Sequence, residues 1–276
     1  MTRTRKSNAT LYQCAEGAVK GRTSGPFGCC VVVILACVPV PLDSREPAKV
    51  KAMFAGISRR YDLLNHVLSL NLDAGWRREA AREACVDPGL RVLDLCGGTG
   101  DLSVALASQP NRPELVVCCD FARPMLALAR EKFDRKRLSD RCVTVEGDAL
   151  RLLFPDAAFD AVTVGFGVRN LADLRAGLAE IHRVLAPQGR LVVLEFSRPQ
   201  GAVLSRLHAF YLTHVLPRLG DGASGRRGPY GYLARTIGEF PSPDLFAGTI
   251  RETGYAAVGW KPLTGGIVCL HTAVKS

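Results

Sequence analysis

Arg91-Val-Leu-Asp-Leu-Cys-Gly-Gly-Thr-Gly-Asp-Leu102 is the stretch whose reading decides the fold. A short apolar run carrying one acid, Asp94, leads into a glycine turn, after which Leu102, Ala105 and Leu106 recur at helical spacing. The pattern predicts strand, loop, helix. Gly97, Gly98 and Gly100 allow positive φ and close backbone approach to a ligand, and the helix behind them starts with unpaired N–H groups. In the dinucleotide fingerprint the glycines are spaced for a pyrophosphate. Here a carboxylate stands ahead of them, which repels phosphate and suits a cation.

A ligand with an ammonium and a sulfonium, S-adenosylmethionine, therefore fits this loop better than NAD. Leu115-Val-Val-Cys-Cys-Asp120 supports it: a second apolar run ends in an acid about 20 positions after the loop, where a ribose diol is held. Candidate cofactor contacts are Asp94, Gly97, Gly98, Thr99, Gly100 and Asp120. An ordinary tight turn is the bland alternative for the glycines alone; the two placed carboxylates weigh against it.

Working outward, strands are expected at 91–95, 115–120, 142–146, 159–165 and 190–196, and helices at 101–108, 123–133 and 171–185. Strands alternating with helices predict a doubly wound, mostly parallel α/β sheet of the class I S-adenosylmethionine-dependent methyltransferase type. Apolar spacing at Val50, Met53, Phe54 and Ile57, continued by Tyr61, Leu64 and Leu68, and a further helix from Trp76 predict a helical cap over 48–87. The core spans 88–197 and a substrate or lid region 198–250. The terminal segment, 251–276, holds strand-like runs at 256–260 and 266–270, an antiparallel pair closing the sheet.

Ligands in such sheets bind beyond the carboxyl ends of the strands. Asp148 and Ala149, and Gly165 through Asn170, lie at such ends. Asp148 either accepts from an adenine amine or caps a helix. In 198–250, Val203, Leu207, Phe210, Tyr211 and Leu216 form an apolar stripe, followed by a glycine-rich loop from Gly220 to Gly231 with Tyr230 and nearby Tyr232. A mobile lid and a core helix with a surface loop both fit.

Residues 1–47 stand apart: basic at the start, with Glu16 the one acid before Asp43, and apolar from Phe27 to Leu42. The apolar run is shorter than the about 20 residues of a bilayer span, and Pro39 and Pro41 break its end. A disordered leader, a targeting segment and a membrane-contacting tail all fit. The 276-residue chain carries a formal charge of +10 and ten cysteines without a C-x-x-C pair. No zinc spacing, metal-ligand cluster or RNA-binding pattern accompanies that charge, so neither a metal nor nucleic acid is expected. A reducing compartment follows: the cytoplasm, or an organelle if 1–47 is a transit peptide.

Two stretches carry a family resemblance. Tyr61-Asp-Leu-Leu-Asn65-His-Val-Leu-Ser69 with Trp76 resembles the first signature of the ubiquinone/menaquinone biosynthesis C-methyltransferases, and Arg183-Val-Leu-Ala-Pro187-Gln-Gly189 through Ser197 resembles the second. Gly165-Phe-Gly-Val-Arg169-Asn170 is similar to that family's Phe-Gly-x-Arg-Asn segment, and His214 to Arg218 and Tyr230-x-Tyr-Leu to later landmarks. Departures are Asp73, where the family usually has histidine, Gln188 in place of glycine, and Gly165, where a serine is common.

The resemblance implies methyl transfer from S-adenosylmethionine to a ring carbon of a reduced prenylated quinone precursor, demethylmenaquinol before its benzoquinol counterpart. Arg169, at a strand end, is the expected stabiliser of a phenolate, and Tyr61 and Asn65, four apart on one helical face, the residues that position the quinol. For His66, His182, His208 and His214 a structural role is the plainer reading than a general base. The isoprenoid tail needs an apolar surface, and the basic charge favours peripheral contact with the inner membrane. A homodimer is left open. The competing readings are a methyltransferase for another aromatic or lipid, a cofactor-binding inactive subunit and a nicotinamide dehydrogenase.

Overall fold

The computed structural model describes His66, residues 69–199, 201, 205, 206, 209–211, 214 and 229–276. Cap helix α1 (Leu72–Ala84) precedes β1 (Arg91–Leu95), α2 (Asp101–Ala107), β2 (Leu115–Asp120), α3 (Arg123–Arg135), β3 (Cys142–Glu146) and β4 (Phe159–Gly165). A 3-10 turn (Val168–Asn170), α4 (Leu174–Val184), β5 (Leu185–Phe196), α5 (Pro229–Glu239), α6 (Pro243–Glu252), β6 (Tyr255–Leu263) and β7 (Val268–Lys275) follow. The seven strands form one sheet in the order β3-β2-β1-β4-β5-β7-β6.

β1 to β5 are parallel, and β7 runs antiparallel to both β5 and β6. Buried parallel strands need apolar side chains on both faces, which is why β2 reads as an unbroken run and is buried throughout. The two faces make two cores. Leu93, Leu95, Val162 and Val193 pack with Leu178 and Ile181 of α4 and Phe246 and Ile250 of α6. Val92, Cys118, Ala161 and Val192 pack on the other face with Trp76, Leu106 and Phe133 of α1, α2 and α3.

Winding proceeds from β1 outward to β3, then returns to the other side of β1 with β4. That reversal opens a crevice beyond the carboxyl ends of β1 and β4, the position where open α/β sheets bind ligands.

The expected strands 91–95, 115–120, 142–146 and 159–165 coincide with β1 to β4. Elsewhere bounds move. The helix expected at 171–185 begins at Leu174, because Asp173 caps it, its side chain accepting from Ala176 N–H at 2.9 Å. The strand expected at 190–196 begins at Leu185, with an irregular register where Phe159 and Ala161 face it. The final strands are longer than 256–260 and 266–270 and do pair antiparallel. Tyr230 and Tyr232, expected in a loop, lie on α5, which starts at Pro229, a residue whose fixed φ suits a first helical turn. α6 was not expected; Ser242 caps it and Pro243 opens it.

The cap is fastened to the far edge of the sheet. Trp76 Nε1 donates to Thr264 Oγ1 at 2.8 Å, and Lys261 Nζ reaches Glu79 at 2.5 Å and Glu83 at 2.7 Å. The segment 48–65, the leader 1–47 and the loop 220–228 lie outside the described residues.

Candidate active site

The glycine loop packs tightly on its protein side at Gly97 and Gly100 and is open at Gly98, which lines the cleft. Gly98 and Gly100 have φ of 54° and 80°, and Cys96 before them 56°. A Cβ at Gly97 would fall 2.6 Å from Cys118 Sγ, and one at Gly100 2.7 Å from the Phe133 ring. Backbone must therefore lie where other sequences would carry a side chain.

Asp120 ends β2 beside this loop. Gly98 N–H donates to its Oδ2 at 2.9 Å and Ala122 N–H to its Oδ1 at 2.8 Å, so the carboxylate is fixed and nearly buried at the wall of an open cleft. Gly98, Asp148, Ala149 and Gly165 line the same cleft. Asp148 caps no helix: its Oδ1 accepts from Leu150 N–H at 2.9 Å in a tight turn closed by a bridge to Arg151. Gly165 ends β4, and Phe166 after it, at φ 59°, donates its N–H to Leu194 O at 2.7 Å.

Asp94 does not line the cleft. The strand register sets it beside Thr163, and its carboxylate accepts from Ser103 Oγ at 2.6 Å and Thr163 Oγ1 at 3.2 Å, fully buried. Burial raises its pKa to about 6 against the pull of those hydroxyls. It ties α2 to β1 and β4 from beneath the loop.

Arg169, expected to stabilise a phenolate from a strand end, does not reach the cleft. It is buried, with Nη1 2.5 Å from Glu195 Oε1 and 2.6 Å from the Phe166 carbonyl, and it is not among the cleft-lining residues. Glu195, 1% exposed at the end of β5, needs a counter-charge and takes it from this guanidinium. Arg169 Nε is buried without a hydrogen-bond partner. Tyr61, Asn65 and His208 lie outside the described residues. His182 packs edge-on against Tyr255, and exposed His214 stacks on Phe210.

The side-chain partnerships at this end of the sheet were not legible in sequence, although Gly165 through Asn170 and Asp73 were singled out there. Phe166 and Phe196, each just beyond or at a strand end, lie 4.6 Å apart between centroids and both face Trp76. The guanidinium of Arg169 lies 5.4 Å from the Phe196 ring and that of Arg77 5.7 Å from Phe166. Asn170 lines the cleft. Beside the loop, Asp101 pairs with Lys132, and Asp73 with Arg77 and, at 2.8 Å, His66 Nδ1. Burial would raise the Asp73 carboxyl, but His66, the Arg77 charge and the Ser69 hydroxyl together pull its pKa down to about 2. Acid at position 73 thus becomes the hub of a network joining the cap to its preceding segment.

Sheet order, glycine loop and the acid ending β2 define a protein of the class I methyltransferase fold. Solved structures agree on the architecture: the [4+2]-cyclase SpnF aligns with 86% of this chain and 98% of its own at a TM-score of 0.62 and 16% identity. A SAM-dependent methyltransferase of Thermotoga maritima aligns with 82% of this chain and 99% of its own at 0.57, also at 16% identity.

The chain belongs to the ubiE/COQ5 methyltransferase family, which it matches over residues 43–275. It is 50% identical to the demethylmenaquinone methyltransferase of Deinococcus radiodurans over 86% of this chain and 97% of that one. It is 45% identical to the demethylmenaquinone methyltransferase of Thermus thermophilus over 79% and 98%. With the ubiquinone/menaquinone biosynthesis C-methyltransferase UbiE of Geobacter sp. strain M21 it shares 40% over 84% and 98%.

Proposed function

We propose that this enzyme transfers a methyl group from S-adenosylmethionine to a ring carbon of demethylmenaquinol, giving menaquinol. The observation that carries the substrate choice is the likeness, along nearly their whole length, to two relatives named for demethylmenaquinone. The Geobacter relative, named for both quinone pathways, favours a benzoquinol as the second reading.

The cleft suits the cofactor. Asp120, held by two N–H donors, keeps its carboxylate ready for a ribose diol, and Gly98 offers backbone to a ligand at the cleft while Gly97 and Gly100 pack the loop against Cys118 and Phe133, with buried Thr99 between them. Asp148 and Ala149 stand where an adenine edge would meet them, and Gly165 leaves room at the end of β4. Asp94 acts from beneath, holding the loop's strand and helix together rather than touching the ligand. When bound, S-adenosylmethionine supplies the electrophilic methyl group.

The chain's own task is to make a ring carbon nucleophilic. A free phenol ionises at about 10, so the site must favour the phenolate and align the carbon with the donor. Arg169 is proposed to serve the first need through its charge and not by contact, since the guanidinium is buried behind the cleft wall and paired with Glu195. Tyr61 and Asn65 of the cap are proposed to hold the quinol oxygens. Exposed Leu70 and Phe210 and the +10 charge support peripheral contact with an anionic membrane that presents the prenylated substrate. Among the described residues no helix is long and apolar enough to cross a membrane.

The test is to incubate the protein with methyl-labelled S-adenosylmethionine and short-tailed demethylmenaquinol or demethylated benzoquinol, both reduced, and to follow label into the organic phase. Label in the naphthoquinol is expected. Label in the benzoquinol alone moves the enzyme to the other pathway, and label in neither, with cofactor still bound, removes the proposal.

A further inference from the structure

Tyr232 stands on α5, outside the sheet, yet its hydroxyl donates to Asn170 Oδ1 at 3.2 Å across 62 positions of sequence. Asn170 ends the 3-10 turn after β4, is only partly buried and lines the cleft that Asp120 also lines. Its backbone N–H is used by Gly167 O at 3.0 Å, and among the described residues its side chain has one hydrogen bond, the one that Oδ1 accepts from Tyr232. An amide has one accepting and one donating end, and here the accepting end is turned to Tyr232, which leaves the donating end turned away from it.

We infer that Tyr232 is a positioning residue for methyl transfer: by occupying Asn170 Oδ1 it leaves the Nδ2 donor to meet the quinol oxygen as that oxygen becomes negative. The inference rests on the quinol reading above. Phenol to amide to phenolate forms a chain of hydrogen bonds in which each member polarises the next, so the contact strengthens as charge develops. With the amide reversed, Oδ1 would face the phenolate and repel it. The Arg235 guanidinium, 5.6 Å from the Tyr232 ring, adds positive potential that makes the phenol a better donor.

α5 is itself well seated for this task. Ile237 and Thr236 are buried, Thr236 Oγ1 donates back to Tyr232 O at 3.0 Å, and Arg198 bonds the Gly238 carbonyl. The hydroxyl is therefore held against the strand end by the helix that carries it, and the helix position is transmitted to the cleft through one amide.

The experiment compares wild type with Tyr232→Phe, Asn170→Ala, the double variant and Asn170→Asp, measuring kcat and KM for short-tailed demethylmenaquinol and the Kd of S-adenosylhomocysteine. Tyr232→Phe is expected to lower kcat about five- to tenfold, the order of one hydrogen bond, with the Kd unchanged. Because Tyr232 acts through Asn170, it adds no further loss in the Asn170→Ala background. Asn170→Asp separates positioning from mere support: it still accepts from Tyr232 but cannot donate while ionised, and kcat is expected to fall about a hundredfold with the Kd retained. Losses that multiply in the double variant, or wild-type turnover in Asn170→Asp, overturn the inference while leaving the quinol reading intact. A wild type that binds cofactor but labels no naphthoquinol removes both.

Discussion

The parallel half of the sheet and its antiparallel edge bury polar groups in opposite ways. At the carboxyl ends of β1 to β5 stand Asp94, Asp120, Arg169 and Glu195, all buried and each with named partners that hold a charge or a raised carboxyl in place. On β7 the buried polar group is His271, whose Nε2 lies 3.1 Å from Pro243 O and whose ring packs against Phe246. Burial drives its pKa down to about 4, so it is neutral at physiological pH and behaves as a structural side chain. The edge strand β6 carries Pro262 and Lys261, features that discourage pairing with another chain. Costly charge is concentrated at the strand ends around and beneath the cleft, and the antiparallel edge closes the sheet without it.

The largest effect is expected at the buried ion pair. Arg169→Ala leaves Glu195 uncompensated and should cost about 3–5 kcal/mol of unfolding free energy, measured by urea denaturation, whereas an apolar replacement of both partners should recover most of it. Arg169→Lys keeps a counter-charge for Glu195 but removes the planar guanidinium that also holds the Phe166 carbonyl, so turnover should fall much further than stability. If Arg169→Lys turns over like wild type, the phenolate role assigned to Arg169 is wrong.

The next effect distinguishes the two regions by pH. Asp94 has its folded pKa raised from 3.8 to about 6, so its contribution is fully present below 3.8 and lost as pH rises through about 6. His271 has its folded pKa lowered from 6.5 to about 4, so its contribution is present above 6.5 and lost as pH falls through about 4. Each shift is worth up to about 3 kcal/mol. Melting curves across that window should show Asp94→Asn flattening the loss on the rising side and His271→Gln the loss on the falling side. Identical pH profiles for wild type and both variants would contradict this division. The smallest effect belongs to the clasp between edge and cap: Lys261→Ala should cost about 1 kcal/mol or less, since its Glu79 and Glu83 pairs are partly exposed.

The parallel half was also the more legible in sequence. β1 to β4 were read with their observed bounds because strands buried on both faces must be nearly continuous apolar runs, and the glycines of the loop announce their own geometry. The reading faltered where partners are distant. Nothing local to Phe-Gly-Val-Arg169-Asn170 says that Glu195 will take the guanidinium, or that Thr163 and Ser103 will enclose Asp94. α5 was hidden by its glycine- and tyrosine-rich composition, and with it the Tyr232–Asn170 contact. α6 carries a local signal in Ser242-Pro243, a cap followed by a helix-opening proline.

The contrast between a ligand-binding half and a closing edge is tested most directly by calorimetric titration of S-adenosylhomocysteine into wild type, Asp120→Ala and His271→Gln. Asp120→Ala is expected to weaken binding at least about tenfold, the order of one charge-assisted hydrogen-bond pair, while His271→Gln leaves the Kd unchanged. Equal affinity in wild type and Asp120→Ala would contradict the placement of the cofactor beyond β1 and β2.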